Sequence, residues 1–165
     1  MVVNKPLFIT YYSQMRAVIQ RTLLPAQVTV DNEVTGQIEK GLVVYLGIEE
    51  ADTKEDIEWL ARKMTNLRIF SDDEYKMNLS LADIGGGLLI ISQFTLYAST
   101  KKGNRPSYLR SAKPDYAKEM YDAFLEHLTT AYKFPVESGV FGADMHVNYS
   151  NHGPVTIIID TKNKE

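Results

Sequence analysis

The chain contains no cysteine. This absence excludes disulfide bonds, thiol nucleophiles and zinc sites built on cysteine. It fits a reducing compartment, and we therefore expect a cytoplasmic location. With 165 residues, of which 44% are hydrophobic and 24% are charged, the chain is long enough to bury a hydrophobic core without cross-links.

Long apolar runs are also absent. No run approaches the roughly 18 residues that a membrane-spanning helix needs, so we predict no membrane partner. The first fourteen residues hold only a short apolar patch at 7–9 and no signal-peptide core. We predict that residues 1–14 are an extension, either disordered or the product of a misassigned start, and that residues 15–165 form a single domain.

An excess of positive charge is missing too. The chain has 18 basic and 21 acidic residues, a net charge of −3, so a polyanionic partner would need a local basic patch. One segment, 101–113, offers such a patch, with Tyr108 as a possible stacking surface. A solvated loop explains this pattern equally well. The segment has no acidic residue, and its basic residues are Lys101, Lys102, Arg105, Arg110 and Lys113.

Few residues are suited to metal binding. The three histidines are His127, His146 and His152, and no pair has the four-residue spacing of a helical zinc motif. The acidic segment 71–74 lacks the glycine and the spacing of a calcium loop, and we interpret it as solvated. We therefore predict no metal and no cofactor.

Short apolar segments separated by turn residues predict a β-rich chain. The pair Asp31-Asn32 predicts a hairpin. The glycines at 85–87 predict a turn into the longest strand. The predicted strands are 17–21, 26–30, 34–38, 42–46, 69–70, 88–97, 145–149 and 155–159.

Two segments have helical periodicity. A capping box formed by Thr53 and Asp56 predicts a helix over 53–66, and Pro114 begins a second helix that reaches residue 131. Two helices with seven or eight strands indicate an α+β fold with a compact, mostly antiparallel sheet.

Two segments place polar or turn residues beside core strands. Gln93 lies between Ser92 and Thr95 in an apolar strand, and a buried amide requires hydrogen-bond partners. Ordinary strand hydroxyls bonded to backbone are the alternative explanation. Gly153-Pro154 makes a sharp turn directly before the apolar run 155–159. The residues therefore make segment 92–96 a candidate site and segment 151–156 a sharp turn into a core strand.

These segments, Ser92-Gln93-Phe94-Thr95-Leu96 and Asn151-His152-Gly153-Pro154-Val155-Thr156, resemble the two signature motifs of the D-aminoacyl-tRNA deacylases. The resemblance covers residues 15 to about 160. His152 stands where Asp is commoner, at a position that the family pattern leaves open. Further similar blocks are 15–21, 40–42, 63–70, 76–80, 102–107 and 139–145.

The resemblance implies hydrolysis of the ester that joins a D-amino acid to the terminal adenosine of tRNA, and some cleavage of glycyl-tRNA mischarged on tRNA(Ala). It also implies a homodimer with a barrel-like core and an active site at the subunit interface. Segment 92–96 of one subunit would meet the Gly153-Pro154 turn of the other. In the family this Gly-Pro bond is cis, and its carbonyl groups reject L-aminoacyl substrates.

The resemblance also assigns roles to residues. Backbone N–H groups of Phe94 and Thr95 would stabilise the oxyanion. Water would be activated by the 2′-hydroxyl of the tRNA, while Thr95 as a nucleophile is an alternative. The remaining expected roles are substrate binding by Ser92, Gln93 and Met145, support of the Gly153-Pro154 turn by Arg21, and tRNA contact by Lys101, Lys102 and Arg105.

Two other hypotheses remain open. The chain could be a nucleic-acid-binding module of the same fold with an inert site, since it offers a basic loop and no conventional catalytic dyad. It could also be an esterase acting on small molecules through Thr95 and His152, in which case His152 would be essential.

Overall fold

A computed structural model describes residues 15–164. The described part of the chain contains ten strands, two α-helices and a 3-10 helix. In chain order these are β1 (Arg16–Thr22), β2 (Ala26–Val30), β3 (Glu33–Ile38), β4 (Gly41–Gly47), α1 (Lys54–Thr65), β5 (Phe70–Ser71), β6 (Met77–Leu79), β7 (Gly87–Ser92), the 3-10 helix (Phe94–Tyr97), α2 (Pro114–Ala131), β8 (Val136–Ser138), β9 (His146–Asn148) and β10 (Thr156–Asp160).

The central feature is an open five-stranded sheet with the strand order β10-β1-β4-β7-β8. Strand β1 pairs antiparallel with β10 and β4, whereas β4 with β7 and β7 with β8 are parallel. Each parallel pair is joined by a connection that contains a helix, as parallel strands require. The sheet is therefore mixed, although five of the seven strand pairings in the described chain are antiparallel.

The core lies on both faces of this sheet. Val44 and Ile90 belong to the cluster that packs against α1 and α2. Val43 and Leu89, their neighbours in sequence, pack against Val28 of a second sheet with the order β3-β2-β9. Burial on both faces explains why β4 and β7 are continuously apolar.

The predicted hairpin is confirmed. Strands β2 and β3 pair antiparallel, and the residues between them, Asp31 and Asn32, have φ angles of 50° and 68°. A tight two-residue turn needs this left-handed conformation at both positions, and Asp and Asn tolerate it well.

Both predicted helices are confirmed. The carboxylate of Asp56 accepts hydrogen bonds from the backbone N–H of Thr53 at 2.9 Å and from its hydroxyl at 3.0 Å, which begins α1 as the capping box predicted. Helix α2 begins at Pro114. Their buried faces include Ile57, Leu60, Met64, Met120, Tyr121, Phe124 and Leu128.

The prediction of a continuous strand over 88–97 is wrong. Strand β7 ends at Ser92, and residues Phe94–Tyr97 form the 3-10 helix. The neighbouring strand β4 ends at Gly47. The last hydrogen bond between the two strands is the one that Gln93 N donates to Leu46 O at 2.8 Å. Beyond this point the chain has no strand to pair with, so local turns replace the ladder. An apolar run in the sequence does not distinguish a long strand from a shorter strand followed by a 3-10 helix.

Two further predictions concern the chain as a whole. No helix in the described range combines the length and the apolar character needed to cross a membrane. The predicted extension, residues 1–14, lies outside the described residues.

Candidate active site

Segment 92–96 occupies the end of β7 and the start of the 3-10 helix. Gln93 Nε2 donates a hydrogen bond to Thr95 Oγ1 at 2.5 Å, so the amide and the hydroxyl orient one another. Phe94 is 58% exposed. The first N–H groups of a helix have no acceptor within it, which leaves the amides of Phe94 and Thr95 outside the internal bonding of the turn.

Tyr97, the last residue of the 3-10 helix, anchors it in the core, because the residue is only 1% exposed. Two guanidinium groups contact the ring of Tyr97. Arg16 Cζ lies 5.3 Å and Arg110 Cζ lies 5.5 Å from the ring centroid. Burial raises the pKa of the Tyr97 hydroxyl, which donates to Gly47 O at 3.3 Å. Tyr97 therefore stays neutral and fixes the base of the segment.

Each of these arginines is held by a carboxylate. Arg16 binds Asp160 through two bonds of 2.8 and 3.1 Å and also donates to Leu96 O at 2.9 Å. The hydrogen bond with Asp160 raises the pKa of Arg16 despite its partial burial. Arg110 pairs with Glu49 at 2.7 Å. The segment is thus tied to β10 and to the end of β4.

Gly47 permits this close packing. A Cβ atom at this position would lie 2.9 Å from Tyr97 Cε2 and 3.2 Å from Gln93 O. Real Cβ atoms do not approach other heavy atoms so closely without displacing them. Glycine at the end of β4 therefore allows the 3-10 helix to sit directly on the strand.

Segment 151–156 forms the turn that precedes β10. The Gly153-Pro154 peptide bond is cis, and Gly153 has a φ of 120°. Both residues are exposed. Asn151 closes the turn, because its Oδ1 accepts from Val155 N at 3.1 Å and its Nδ2 donates to Thr156 Oγ1 at 3.0 Å.

Arg21 lies beneath this turn and is only 5% exposed. Its Nε donates to His152 O at 3.2 Å and its Nη1 to Ile69 O at 2.5 Å. A Cβ atom on Gly153 would lie 2.8 Å from Arg21 Nη2. The guanidinium thus occupies the space directly below the Gly153-Pro154 bond, where the sequence predicted a supporting role.

One chain does not bring the two segments together. Ser92 is level with Leu46, Ala17 and Ile159 across the sheet. The turn lies at the opposite end, where Arg21 N donates to Val155 O. From strand spacing and rise, the segments are about 20 Å apart. Thr95 and His152 are separated in the same way, so a single chain has no Thr95–His152 dyad.

Met145 lies just before β9 and is half-buried. It packs with Tyr45, Val147 and Tyr149 against the second-sheet side of the core. A Cβ atom on Gly139 would overlap the Met145 sulfur, so Gly139 leaves the space that this side chain fills. The Met145 side chain therefore depends on the absence of a side chain at Gly139.

The basic segment 101–113 docks on the 3-10 helix. Paired backbone hydrogen bonds of 2.8 and 2.9 Å between Ser99 and Ser107 close its first part into a loop. Ser111 Oγ donates to Phe94 O at 2.8 Å, and the rings of Tyr108 and Phe94 are 5.0 Å apart. At the tip of the loop Lys101, Lys102 and Arg105 are exposed.

The sequence patterns missed the buried charges beneath this site. One of them is Asp52, which is 1% exposed and accepts a 2.8 Å hydrogen bond from Glu49 N through Oδ2. Its Oδ1 is a buried atom without a partner, and burial raises the pKa of Asp52 to about 7. The sequence feature that could have indicated these buried charges is weak. It is the occurrence of charged residues at or near the ends of apolar strands, as at Arg16, Glu49 and Asp160.

No cluster of three or more metal-ligating His, Asp or Glu side chains occurs between residues 15 and 164. Segment 92–96 and its surroundings display amides, hydroxyls and backbone groups.

The family model described as D-Tyr-tRNA(Tyr) deacylase matches residues 18–160. The chain belongs to this deacylase family. A D-aminoacyl-tRNA deacylase of Parabacteroides distasonis is 56% identical over 92% of this chain and 100% of its own length. The corresponding protein of Flavobacterium johnsoniae is 52% identical over the same shares.

Solved structures share the fold of this chain. The structure of a c-Myc DNA unwinding element binding protein is 40% identical, with a TM-score of 0.82 over 88% of this chain and 97% of that one. A eukaryotic protein described as a D-amino acid tRNA deacylase is 19% identical and shares the fold, with a TM-score of 0.75 over 89% and 99% of the two chains. The predicted membership of the deacylase family is confirmed.

Proposed function

We propose that this deacylase-family chain hydrolyses the ester bond of D-aminoacyl-tRNA. Water adds to the ester carbonyl carbon, the bond to the ribose oxygen breaks, and a free D-amino acid and a tRNA with a free hydroxyl leave. The observation that carries the proposal is the name shared by relatives that are 52–56% identical over 92% of the chain. Removal of D-amino acids from tRNA is a proofreading step of translation, which belongs in the cytoplasm.

The chemistry is assigned to segment 92–96. Amides of Phe94 and Thr95 stabilise the negative charge that develops on the carbonyl oxygen. Ser92, Gln93 and Met145 bind the substrate. The bond from Gln93 to Thr95 supports this assignment because it orients both side chains in advance. Water is activated by the 2′-hydroxyl of the terminal ribose, so no cofactor takes part.

We assign the discrimination between D- and L-aminoacyl substrates to the Gly153-Pro154 turn. Its backbone carbonyls accept hydrogen bonds from the substrate ammonium group and crowd the position that an L side chain would take. Arg21 supports the turn from below through His152 O and the space under Gly153. Glycine has no side chain to reject, so glycyl-tRNA mischarged on tRNA(Ala) is also cleaved.

The site is completed by a second copy of the chain. The separation of about 20 Å between the two segments supports this, because a single chain cannot present both to one substrate. Edge strand β10 leaves Ile158 66% exposed, and such a strand favours contact with another chain. In the homodimer the 3-10 helix of each protomer faces the turn of its partner.

The acceptor end of the tRNA is assigned to the basic loop. Lys101, Lys102 and Arg105 are exposed at its tip, and the loop is fixed to the 3-10 helix through Ser111 and Phe94. Cationic side chains on phosphates bind nucleic acid independently of sequence. This suits an enzyme that acts on many different tRNAs.

The direct test compares D-tyrosyl-tRNA with L-tyrosyl-tRNA as substrates of the purified full-length protein. We expect release of D-tyrosine and no release of L-tyrosine above the rate without protein. Equal rates for the two substrates, or no cleavage of the D form, would contradict the proposal. Glycyl-tRNA(Ala) tests the chirality mechanism separately, because carbonyl crowding predicts that it is cleaved.

A second candidate function is nucleic-acid binding without catalysis. It is favoured by the 40% identical structure, whose name describes a DNA unwinding element binding protein. Binding of tRNA or duplex DNA at micromolar protein concentration, with no turnover of D-tyrosyl-tRNA, would favour this candidate over the deacylase.

A further inference from the structure

Two large aromatic rings are exposed at segment 92–96, one within the segment and one packed against it. Phe94 is 58% exposed and Tyr108 is 38% exposed, and their rings meet edge to face at 5.0 Å with an interplanar angle of 74°. The pair is built rather than incidental, because the hydrogen bond from Ser111 to Phe94 O holds the loop against the 3-10 helix. Exposed aromatic rings next to a functional site indicate a surface that binds a partner.

The segment that carries this aromatic pair is rich in basic residues, although Arg110 is paired with Glu49 at 2.7 Å. Residues 94–113 contain five basic residues and no acidic residue. The bridge between Ser99 and Ser107 closes the loop, so its tip stays near its base. Arg105 precedes Tyr108 by three residues, which places their Cα atoms within about 10 Å of one another.

We propose that Phe94 and Tyr108 form a stacking platform for an unpaired base in the 3′ single strand of the RNA substrate, with Lys101, Lys102 and Arg105 on the phosphates of the same strand. The proposal rests on the deacylase function, since that function makes RNA the substrate. Aromatic rings interleaved with cations are the means by which proteins hold single strands without reading their sequence. The rings of Phe94 and Tyr108 contact the base, whereas the backbone amides of Phe94 and Thr95 contact the aminoacyl ester.

In the proposed homodimer the turn of the partner faces the 3-10 helix, and the other conceivable occupant of the Phe94 and Tyr108 rings is a second copy in a separate two-fold contact. A two-fold contact through this surface would place two copies of the cationic loop against each other. Like charges in contact disfavour association, whereas a polyanion neutralises them. The charge of the loop therefore favours RNA.

The test uses two fluorescently labelled hairpin RNAs, one ending in an unpaired 3′ strand and the other blunt but otherwise identical. Kd is measured by fluorescence anisotropy for the full chain. Tyr108→Ala should weaken binding of the overhang hairpin by about 5- to 150-fold and leave the blunt hairpin unaffected. Tyr108→Phe should bind both hairpins as the unaltered chain does.

Two control variants separate stacking from other effects. Tyr75→Ala removes a ring that is 91% exposed in the turn between β5 and β6, and it should change neither Kd. Lys102→Ala should weaken binding of the overhang hairpin more than binding of the blunt hairpin, and it should lower the slope of log K against log salt for the overhang hairpin by about 1. In turnover of D-tyrosyl-tRNA, Tyr108→Ala should raise KM with little change in kcat.

Equal loss of affinity for the overhang and blunt hairpins on Tyr108→Ala, or no loss for either, would overturn the platform. A change of oligomeric state in sedimentation without a change of Kd would also overturn it, because the pair would then contact a second copy. The probe RNA carries no amino acid, so this binding result does not depend on whether the chain is a deacylase. The assay with D- and L-tyrosyl-tRNA tests the deacylase proposal separately.

Discussion

The guanidinium group of Arg21 binds His152 twice. Its Nε donates to the backbone oxygen at 3.2 Å, and its Nη2 lies 3.0 Å from Nδ1 of the imidazole. His152 N in turn donates to Arg21 O at 2.9 Å. Arg21 of β1 therefore sets the position of the turn that contains Gly153-Pro154.

Replacing Arg21 should loosen the turn before it unfolds the chain. Arg21→Lys keeps the charge, but an ammonium group cannot reproduce the fork that reaches both His152 O and Ile69 O. A buried carbonyl left without a donor costs about 1–3 kcal/mol. We expect that loss in urea unfolding, together with a lower ratio of D- to L-tyrosyl-tRNA cleavage. The control is Arg62→Lys, a substitution at an exposed position of α1. If Arg21→Lys leaves the ratio of D- to L-tyrosyl-tRNA cleavage unchanged, Arg21 does not support the turn.

A mixing experiment tests whether the two segments belong to one site across two chains. Thr95→Trp fills the half of the site that lies at the 3-10 helix with a large side chain. Gly153→Leu disrupts the other half by forcing a side chain against Arg21. Each variant alone should be inactive. Co-refolded in equal amounts, they should recover roughly a quarter of the wild-type rate, because half of the dimers carry one intact site of two. Failure of the mixture to recover activity, although heterodimers are present, would place both segments in one chain's site.

The ring of Tyr97 should matter more than its hydroxyl. Tyr97→Phe loses one hydrogen bond of 3.3 Å to Gly47 O and should cost less than about 1.5 kcal/mol. Tyr97→Leu also loses the contacts with Arg16 and Arg110 and should cost about 2–4 kcal/mol. Urea unfolding measures both, and kcat should fall in the same order. Equal effects of the two substitutions would show that the guanidinium contacts contribute nothing.

Gly139 provides an indirect way to move Met145. In Gly139→Ala the new methyl group would overlap the sulfur, which lies near the end of a flexible side chain. Met145 should shift and KM for D-tyrosyl-tRNA should rise, with only a small loss of stability. Adding Met145→Ala removes the overlap, so the double variant should resemble Met145→Ala alone. A double variant whose effects simply add would show that the two positions act independently.

Asp52 should make stability depend on pH. Burial raises its folded pKa to about 7 from the ordinary value of 3.8. Between these values the folded chain holds a proton that the unfolded chain releases, so the free energy of unfolding falls as the pH rises. The slope approaches about 1.4 kcal/mol per pH unit. Asp52→Asn removes this titration, and its stability relative to the wild type should rise from about pH 4 to about pH 7. A constant difference over this range would contradict the shift.

Local patterns were sufficient for most elements of the fold. The capping box at Thr53, Pro114 at the start of α2 and the pair Asp31-Asn32 all act on neighbouring residues, so they could be interpreted without a structure. The strand predicted over 88–97 failed for the opposite reason. Whether an apolar run stays extended depends on a partner strand, and β4 ends at Gly47.

The candidate site divides in the same way. Segments 92–96 and 151–156 could be singled out because amides, hydroxyls and a Gly-Pro turn are unusual next to core strands. The residues that hold them could not. Arg16 meets Asp160 across 144 positions, and Arg21 meets His152 across 131, contacts that exist only because β1 lies between β4 and β10.

The amino-acid sequence by itself determined the local elements, the two motif segments and the family, because each depends on residue types at short spacing. Only the tertiary structure decided that the segments lie at opposite ends of one sheet, that two arginines contact the ring of Tyr97, and that Phe94 and Tyr108 form an exposed pair. The physical reason is that strand order and register are set by burial and pairing over the whole chain, which no short pattern contains.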